Sequence, residues 1–363
     1  MAERWRIAMW VGALLLLILL GAGTTLVTWA WRTVHQPFRG YDAAEVLVEV
    51  PKGTDAVTIL RSLESAGVLA NADLARLYLI YEMGDPYLRA GEYRFADPLA
   101  TPEVLARLVR GDIVTYPVTI IEGLSLAETA QALSAAGFGE LEIFLATMGD
   151  PARVADLDSQ AQDLEGYLFP DTYRFAKGTT ETQIVDAMVG TFRRLYEESV
   201  DPLRAVTDER TVREIVTLAS IVETEAQLDE ERPVIAGVYA HRLRRGMPLQ
   251  ADPTVIYSLT LAGEYDGNLR RDDLKFDSPY NTYVYPGLPP GPIASPGLAS
   301  LQAAALPADV PYLYFVSRND GSHVFAETLR EHNRNVNEWQ KVYWRKKWAE
   351  ERRQQQAAEN SPD

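Results

Sequence analysis

The sequence predicts an α+β protein with an N-terminal transmembrane helix, a βααβ subdomain and a larger mixed α+β domain. Three features support this fold class: a long uncharged segment near the N-terminus, a repeated strand–helix–helix–strand pattern, and later amphipathic helices followed by a hairpin pattern. The 363 residues, 47% hydrophobic and 24% charged, form an ordinary composition for a folded protein of about two domains.

Charge and cysteine content exclude several classes of function. The formal net charge is -16, whereas nucleic-acid and anionic-lipid surfaces need clustered lysine and arginine, and no basic stripe occurs before the extreme C-terminus. We therefore expect no nucleic-acid partner. The chain has no cysteine, which excludes disulfides and thiolate metal sites and is compatible with an oxidising compartment.

The N-terminal segment predicts a membrane anchor. Residues 7–31 carry no formal charge and are long enough to cross a bilayer. Arg4 and Arg6 precede them, so the positive-inside rule places residues 1–6 in the cytoplasm and the rest of the chain outside. A cleaved signal peptide is the alternative, but the apolar pattern continues to Trp31. We expect a retained single-pass anchor in the cell (inner) membrane and a linker over 32–43.

An internal repeat follows the linker. Val48-Glu-Val-Pro-Lys-Gly53 and Val118-Thr-Ile-Ile-Glu-Gly123 each begin a strand, a glycine turn and two helices. The copies close on Gly91–Phe95 and Asp171–Phe175, so the second copy is longer. The strand–helix–helix–strand order resembles the LysM module, a binder of N-acetylated glycans. We assign 44–116 to a LysM-like subdomain and 117–343 to a catalytic domain that starts with the second copy. The duplication favours a spacer over two intact sugar sites.

Three helices are predicted over 181–196, 211–226 and 233–245, and the second contains a candidate catalytic residue. A helix turns about 100° per residue, so side chains within about 60° of Ala219 form its core stripe. These are Val212, Ile215, Val216, Val222 and Ala226. Glu223 also falls inside this stripe, whereas Glu225 falls on roughly the opposite side, where we expect it to be solvated.

A carboxylate in an apolar stripe has two interpretations. Burial disfavours the charged form of a carboxylate, and a neutral carboxyl group can donate a proton in catalysis. On this interpretation Glu223 is a general acid. The alternative is a glutamate at the edge of the stripe that is paired with an arginine or lysine.

The C-terminal third combines an irregular segment with regular elements. Residues 278–297 contain many prolines and glycines, which predicts an ordered loop without helix or central strand. Tyr280, Asn281, Thr282 and Tyr283 give this loop aromatic faces and polar groups suited to a sugar, although a rigid surface connector is the alternative. We predict a hairpin over 312–316 and 322–325, then a helix with Leu329, Val336 and Trp339 on one face, and a polar tail over 344–363.

Several motifs occur together and in order. They are Val118-Thr-Ile-x-Glu-Gly123, Glu165-Gly-Tyr-Leu-Phe-Pro-Asp-Thr-Tyr173, Leu218-Ala-Ser-Ile-Val-Glu223, Leu249-Gln-x-Asp-Pro-Thr-Val-Ile-Tyr257, Tyr280-Asn-Thr-Tyr283, Gly287-Leu-Pro-Pro-Gly291 and Tyr312-Leu-Tyr-Phe-Val316. Over roughly residues 45–342 the chain closely resembles the endolytic murein transglycosylases, the YceG-like family. Any one of these motifs alone is weak, but the set is specific.

The resemblance implies a lyase that cleaves the bond between N-acetylmuramic acid and N-acetylglucosamine within nascent glycan strands. Such an enzyme leaves 1,6-anhydromuramyl ends and terminates strand elongation. It implies Glu223 as the catalytic residue, without metal or cofactor. Substrate-binding candidates are Gln250, Asp252, Tyr257, Tyr280, Asn281 and Tyr283. Glu223 is followed here by Thr224-Glu225-Ala226, where relatives often carry Lys-Glu-Thr.

Alternative functions are a hydrolytic muramidase, a non-catalytic scaffold and a zinc hydrolase. A muramidase would pair Glu223 with a second carboxylate, such as Asp252 or Asp171. A glycan-binding scaffold of the cell-wall synthesis machinery would bind without cleavage. The four histidines, His35, His241, His323 and His332, are too scattered for a zinc hydrolase. An anchored lyase would meet nascent strands beside penicillin-binding synthases, which we expect as partners.

Overall fold

The computed structural model describes residues 2–207 and 210–359. The chain divides into two compact units, Met1–Tyr116 with Arg174–Gly178, and Pro117–Tyr173 with Thr179–Asp363. The first unit contains α1 (Ala2–His35), β1 (Val46–Val50), α2 (Ala56–Ser65), α3 (Ala72–Tyr81), β2 (Gly91–Phe95) and α4 (Thr101–Arg110). Strands β3 (Thr115–Thr119) and β4 (Thr172–Ala176) run across the division and pair with each other.

The second unit is mostly helical. Its elements are α5 (Leu126–Ala135), α6 (Leu141–Met148), α7 (Glu181–Ser199), α8 (Asp201–Thr207), α9 (Val212–Glu225), α10 (Arg232–Arg244), α11 (Asp252–Ala262), α12 (Leu298–Ala305), β5 (Tyr314–Ser317), β6 (His323–Ala326), α13 (Leu329–Val336) and α14 (Tyr343–Glu359). A π-helical segment, Asn337–Val342, joins the last two helices. The mixed α+β class is therefore confirmed.

Helix α1 includes the predicted membrane span. Within it Trp5–His35 is long and apolar enough to cross a bilayer, and the most apolar window of that segment has no buried residue. An N-terminal apolar helix of this kind fits a membrane anchor. The predicted span of 7–31 lies inside it, and the cytoplasmic placement of the N-terminus stays a prediction.

Both predicted repeats have the expected order of elements. The first copy is β1-α2-α3-β2, and the second is β3-α5-α6-β4. Strands β1 and β2 are antiparallel, with Val48 opposite Tyr93, and their inward side chains join Leu60, Leu63 and Leu105 in the core of the first unit. The likeness to LysM modules stays a prediction.

The three predicted helices of the second unit correspond to α7, α9 and α10, with ends shifted by a few residues. Helix α9 begins with a capping box, in which the Thr211 and Glu214 side chains each accept a hydrogen bond from the other residue's backbone N–H. It packs against α10, α11 and α12, and every residue from Ile215 to Val222 is buried. This helix is therefore surrounded by protein, whereas the sequence prediction assumed a single core-facing stripe.

The segment 278–297 has no helix or strand, as predicted. Its second half, 291–297, is buried, so the alternative of a surface connector is wrong for that half. The predicted hairpin is confirmed as the antiparallel pair β5–β6. In the predicted polar tail, α14 extends through 359, while 360–363 lie outside the described residues.

Candidate active site

A polar cavity of about 450 Å³ lies in the second unit, beyond the C-terminal end of the buried part of α9. This volume is within the usual range of small-molecule sites. Side chains from α9, α10 and the segments before and after α11 line one part, namely Glu225, Tyr239, Arg242, Leu249, Gln250, Asp252 and Tyr283. The remaining lining comes from the C-terminal region, namely Phe315, Val316, Ser317, His323, His332 and Gln340.

Glu225 is the α9 carboxylate in this cavity. Its Oε1 atom accepts a hydrogen bond of 3.0 Å from the Tyr239 hydroxyl. Burial is the main cause that raises the pKa of Glu225, to about 7; the charge of Asp252 raises it further, whereas Tyr239 and Arg242 lower it. A carboxyl group with a pKa near the working pH is well suited to general acid–base catalysis.

The prediction that Glu225 is solvated is wrong. The helical angle was correct, but α10 and α11 cover the side of α9 that the prediction assigned to solvent. A helix that is apolar on all sides is buried on all sides. The angle between a side chain and one apolar stripe therefore does not predict the solvent exposure of that side chain.

Glu223 has a different environment. Its side chain is 5% exposed, and Oε1 accepts a hydrogen bond of 2.8 Å from Arg232 Nη1. Oε2 accepts a hydrogen bond of 2.9 Å from the backbone N–H of Gly297. Arg232 also contacts Asp229 at 3.0 Å and Glu122 at 3.9 Å. Glu223 is thus held by a buried ion pair, the alternative that the sequence left open, and it is not among the residues that line the cavity.

Three side chains on α9 hold the proline-glycine loop in place. Arg213 donates to the Pro290 carbonyl, and Ser220 Oγ accepts from the Ile293 N–H at 3.0 Å. Glu223 binds the Gly297 N–H one turn further along. Their spacing of seven and three residues places them on one side of the helix. Glu223 is therefore the last of a row of loop-binding residues.

Two of the predicted substrate-binding residues, Asp252 and Tyr283, contact each other. The Tyr283 hydroxyl donates to Asp252 Oδ1 at 2.6 Å, and both residues line the cavity. Asp252 is exposed at the first position of α11, where a carboxylate interacts favourably with the helix dipole. The cavity thus contains a second carboxylate beside Glu225, with an orientation fixed by a phenol.

Gln250 lines the cavity from a strained backbone position. Its φ angle is 51°, in the left-handed region that disfavours side chains other than glycine and asparagine. The flanking backbone is held on the loop, because the Gln250 N–H donates to the Thr282 carbonyl at 3.2 Å and the Ala251 N–H donates to Thr282 Oγ1 at 3.0 Å. Such strain is typical of functional sites.

The other three predicted binding residues do not line this cavity. Tyr257 and Tyr280 contact each other with ring centroids 5.0 Å apart, and the Tyr257 hydroxyl donates to Glu165 Oε2 at 3.1 Å. Glu165 is buried and also accepts from the Leu126 N–H. Asn281 is fully buried, and its amide donates to the Leu274 and Phe276 carbonyls. It organises the loop in which Tyr283 lies.

The histidines make different contacts, although His323 and His332 both line the cavity. His241 contacts the Tyr312 carbonyl, His323 Nδ1 is 2.7 Å from Glu231 Oε2, and His35 stacks on Trp31. Within 2–207 and 210–359 no three His, Asp or Glu side chains are arranged to hold a metal ion.

Comparisons with known proteins agree with these motifs. A sequence model of the YceG-like family matches residues 48–338. The chain belongs to the YceG-like family.

The relatives of this YceG-like protein include an endolytic murein transglycosylase of Bacillus subtilis (strain 168), 30% identical over 84% of this chain and 87% of that protein. One of the same name from Streptococcus pneumoniae (strain D39) is 32% identical over 81% of this chain, but the match covers 58% of its length. A crystal structure of a YceG-like protein from Listeria monocytogenes has a TM-score of 0.54 and 34% identity, covering 80% of this chain and 98% of that one.

Sequence reasoning missed seven polar residues in the cavity of this YceG-like protein: Glu225, Tyr239, Arg242, Ser317, His323, His332 and Gln340. A signal for Arg242 was present, because it continues the inward stripe of α10 through Ile235 and Val238. For Glu225, the signal was the apolar character of α9 all round. No comparable pattern pointed to His332.

Proposed function

We propose that the chain is an endolytic lytic transglycosylase that cleaves murein glycan strands, with Glu225 as its proton donor and acceptor. The observation that carries this assignment is a carboxyl group with a pKa of about 7 in a polar cavity lined by three residues that the family resemblance implied for substrate binding. The names of the relatives from B. subtilis and S. pneumoniae support the reaction class.

The reaction needs one group that first gives and then takes a proton. Neutral Glu225 protonates the glycosidic oxygen as the bond from C1 of the muramyl residue breaks. The C6 hydroxyl of the same residue then attacks C1, forming the 1,6-anhydro ring, and its proton passes to the Glu225 carboxylate. The acid is regenerated and no water is consumed. Asp252, oriented by Tyr283, lies in the same cavity and can stabilise the positive charge that develops on the sugar ring.

Catalysis by Glu223 stays a prediction from the sequence, but the contacts of the two glutamates favour Glu225. Both Glu223 oxygens accept hydrogen bonds from Arg232 and Gly297, and proton transfer would require breaking a buried ion pair. Glu225 accepts one hydrogen bond from the residues that the structure describes, from a tyrosine, and it lines the cavity.

A hydrolytic muramidase is the second candidate, because Asp252 provides a second carboxylate in the cavity. The two reactions differ in their products, since the anhydro end is lighter than a reducing end by one water. The test is digestion of purified glycan strands by the full chain, with mass analysis of the new ends. Anhydro ends that disappear with Glu225→Gln support the proposal; reducing ends indicate the muramidase, and binding without cleavage indicates a scaffold.

The cellular role is also a proposal. We infer that α1 anchors the chain in the cell membrane with its N-terminus in the cytoplasm, so that the second unit meets glycan strands beside penicillin-binding synthases. Strand termination then predicts longer nascent strands in cells that lack the protein. Complementation with the full chain should restore strand length, whereas Glu225→Gln should not. Unchanged strand length in the deletion would contradict this role.

A further inference from the structure

Arg242 is a buried cation in the cavity, and no described carboxylate neutralises it by direct contact. It is 7% exposed, and among the described residues its side-chain hydrogen bonds go to backbone carbonyls, not to a carboxylate. Its Nε and Nη1 atoms donate to the carbonyls of Leu313 and Leu249 at 2.7 and 2.6 Å. These bonds orient the guanidinium in the wall of the cavity. No described group accepts a hydrogen bond from Nη2.

A second nitrogen without a partner lies in the same wall. His332 also lines the cavity, and its Nδ1 atom is buried with no hydrogen-bond partner among the described residues. Its ring stacks on Tyr314 with centroids 5.2 Å apart, and the Arg242 guanidinium lies 5.3 Å from the centroid of the same tyrosine ring. Tyr314 thus contacts both side chains and holds them in one part of the cavity.

The unpartnered His332 nitrogen and the buried charge of Arg242 are both unfavourable without a ligand. A buried guanidinium that lacks an anion loses hydration without gaining an ion pair, and a buried polar nitrogen without a partner costs free energy. Burial also lowers the pKa of Arg242. Burial and the charge of Arg242 lower the pKa of His332, so its neutral imidazole donates from Nδ1 in one tautomer. Arg242 Nη2 is a second donor, and a carboxylate offers two acceptor oxygens.

We propose that Arg242 Nη2 and His332 Nδ1 form a subsite for a carboxylate carried by the muramyl residue of the substrate. The inference rests on the proposed function, since it takes muramic acid as the sugar in the cavity. Two parts of murein can supply this carboxylate. The lactyl group of muramic acid is a free carboxylate in peptide-free strands and an amide in strands that carry stem peptides. Those peptides have carboxylates of their own.

The test compares the affinity of strands with free and with blocked carboxylates. The full chain with Glu225→Gln serves as the binding protein, because it should hold strands without cutting them. Four ligands are used: peptide-free strands, the same strands with the lactyl carboxylate converted to a methylamide, peptide-bearing strands, and peptide-bearing strands with the peptide carboxylates converted to methylamides. We expect blocking to raise Kd by about tenfold or more in at least one pair, since a hydrogen bond to a charged group contributes that much.

The pair that responds identifies the source of the carboxylate. A response in peptide-free strands assigns the lactyl group, and a response in peptide-bearing strands assigns the stem peptide. Equal affinity for free and blocked ligands in both pairs would overturn the subsite while leaving the proposed function intact. Failure to bind any strand, together with no cleavage by the unaltered chain, would contradict both.

Substitution provides an independent check. Adding Arg242→Gln to the Glu225→Gln chain should abolish the difference between free and blocked ligands. Arg244 lies two residues further along α10 and is exposed, so Arg244→Gln is a matched control that should preserve the difference. A difference that persists in folded Arg242→Gln would overturn the assignment. The comparison of ligands on the Glu225→Gln chain needs no change at Arg242, so it decides the proposal even if that variant does not fold.

Discussion

Glu223 Oε1 accepts a hydrogen bond from Arg232 Nη1 at 2.8 Å, and the two side chains are 5% and 7% exposed. The pair connects α9 to the start of α10, and the second Glu223 oxygen binds the loop before α12. Two residues further along α9, Glu225 lies in the cavity, and in the described part of the chain no arginine is in ion-pair contact with it. The two carboxylates at the C-terminal end of α9 therefore lie in different environments, one in an ion pair and the other in the cavity.

Substituting each glutamate in turn should separate these roles. We expect Glu225→Gln to lower kcat by about 10²–10⁴-fold, the usual contribution of a general acid, with little change in Tm. Glu223→Gln should instead lower the free energy of unfolding by about 2–3 kcal/mol, somewhat less than the usual cost of breaking a buried pair because Asp229 still binds Arg232. Turnover per folded molecule and urea denaturation in detergent measure the two effects. The reverse pattern would return the catalytic assignment to Glu223.

The pH profile of kcat/KM should report the protonation of Glu225. Because its pKa is about 7 and the donor form is the protonated one, kcat/KM should fall as the pH rises above about 7. Asp252→Asn removes a charge that raises this pKa, so the decline should move to lower pH. Asp266→Asn, an exposed carboxylate bound to Arg270, is the control and should leave the profile in place. A profile that Asp252→Asn does not shift would contradict the coupling.

Substitutions at Gln250 should affect stability through backbone strain and KM through the lost amide. Both Gln250→Gly and Gln250→Ala remove the amide from the cavity, so both should raise KM if that amide holds the sugar. Only glycine is unstrained at a φ of 51°, and we expect the glycine variant to be more stable than the alanine variant by about 1 kcal/mol. Denaturation curves and steady-state kinetics on the two proteins provide the comparison. Equal stability would show that the position carries no strain.

Glu165 should make stability depend on pH. Burial raises the pKa of Glu165 from 4.5 to about 8, although the Leu126 N–H lowers it in part. The folded state then binds more protons than the unfolded state between these values, so the free energy of unfolding should fall as the pH rises from about 4.5 to 8. A shift of this size corresponds to a loss of about 5 kcal/mol over this pH range. Glu165→Gln should reduce this slope in denaturation experiments at several pH values, and an unchanged slope would exclude Glu165 as its cause.

Local patterns in the sequence predicted most of the second unit's helices. The predicted helices over 181–196 and 211–226 correspond to α7 and α9, which the structure shows to be capped by Thr180 and Thr211. Asn319-Asp320-Gly321 indicated the turn between β5 and β6. These signals depend only on residues close together in the sequence, so they can be recognised without knowledge of the tertiary structure.

The candidate site was harder to predict because its residues meet through tertiary contacts. The sequence selected Gln250, Asp252 and Tyr283, which line the cavity, but also Tyr257, Tyr280 and Asn281, which do not. Its angular argument preferred Glu223 to Glu225, since one helix alone cannot reveal that α10 and α11 cover the other side of α9. Side-chain chemistry predicted the kind of site better than it predicted which residues form it.

The C-terminal end of α1 packs against the first unit. His35, its last residue, lies against Tyr78 of α3 with ring centroids 5.8 Å apart, and Val34 is 7% exposed within the first unit. The apolar helix therefore enters the folded unit without an intervening flexible stretch. In a membrane, this contact would attach the first unit rigidly to the spanning helix. The distance of the unit from the lipid surface would then be set by the length of α1.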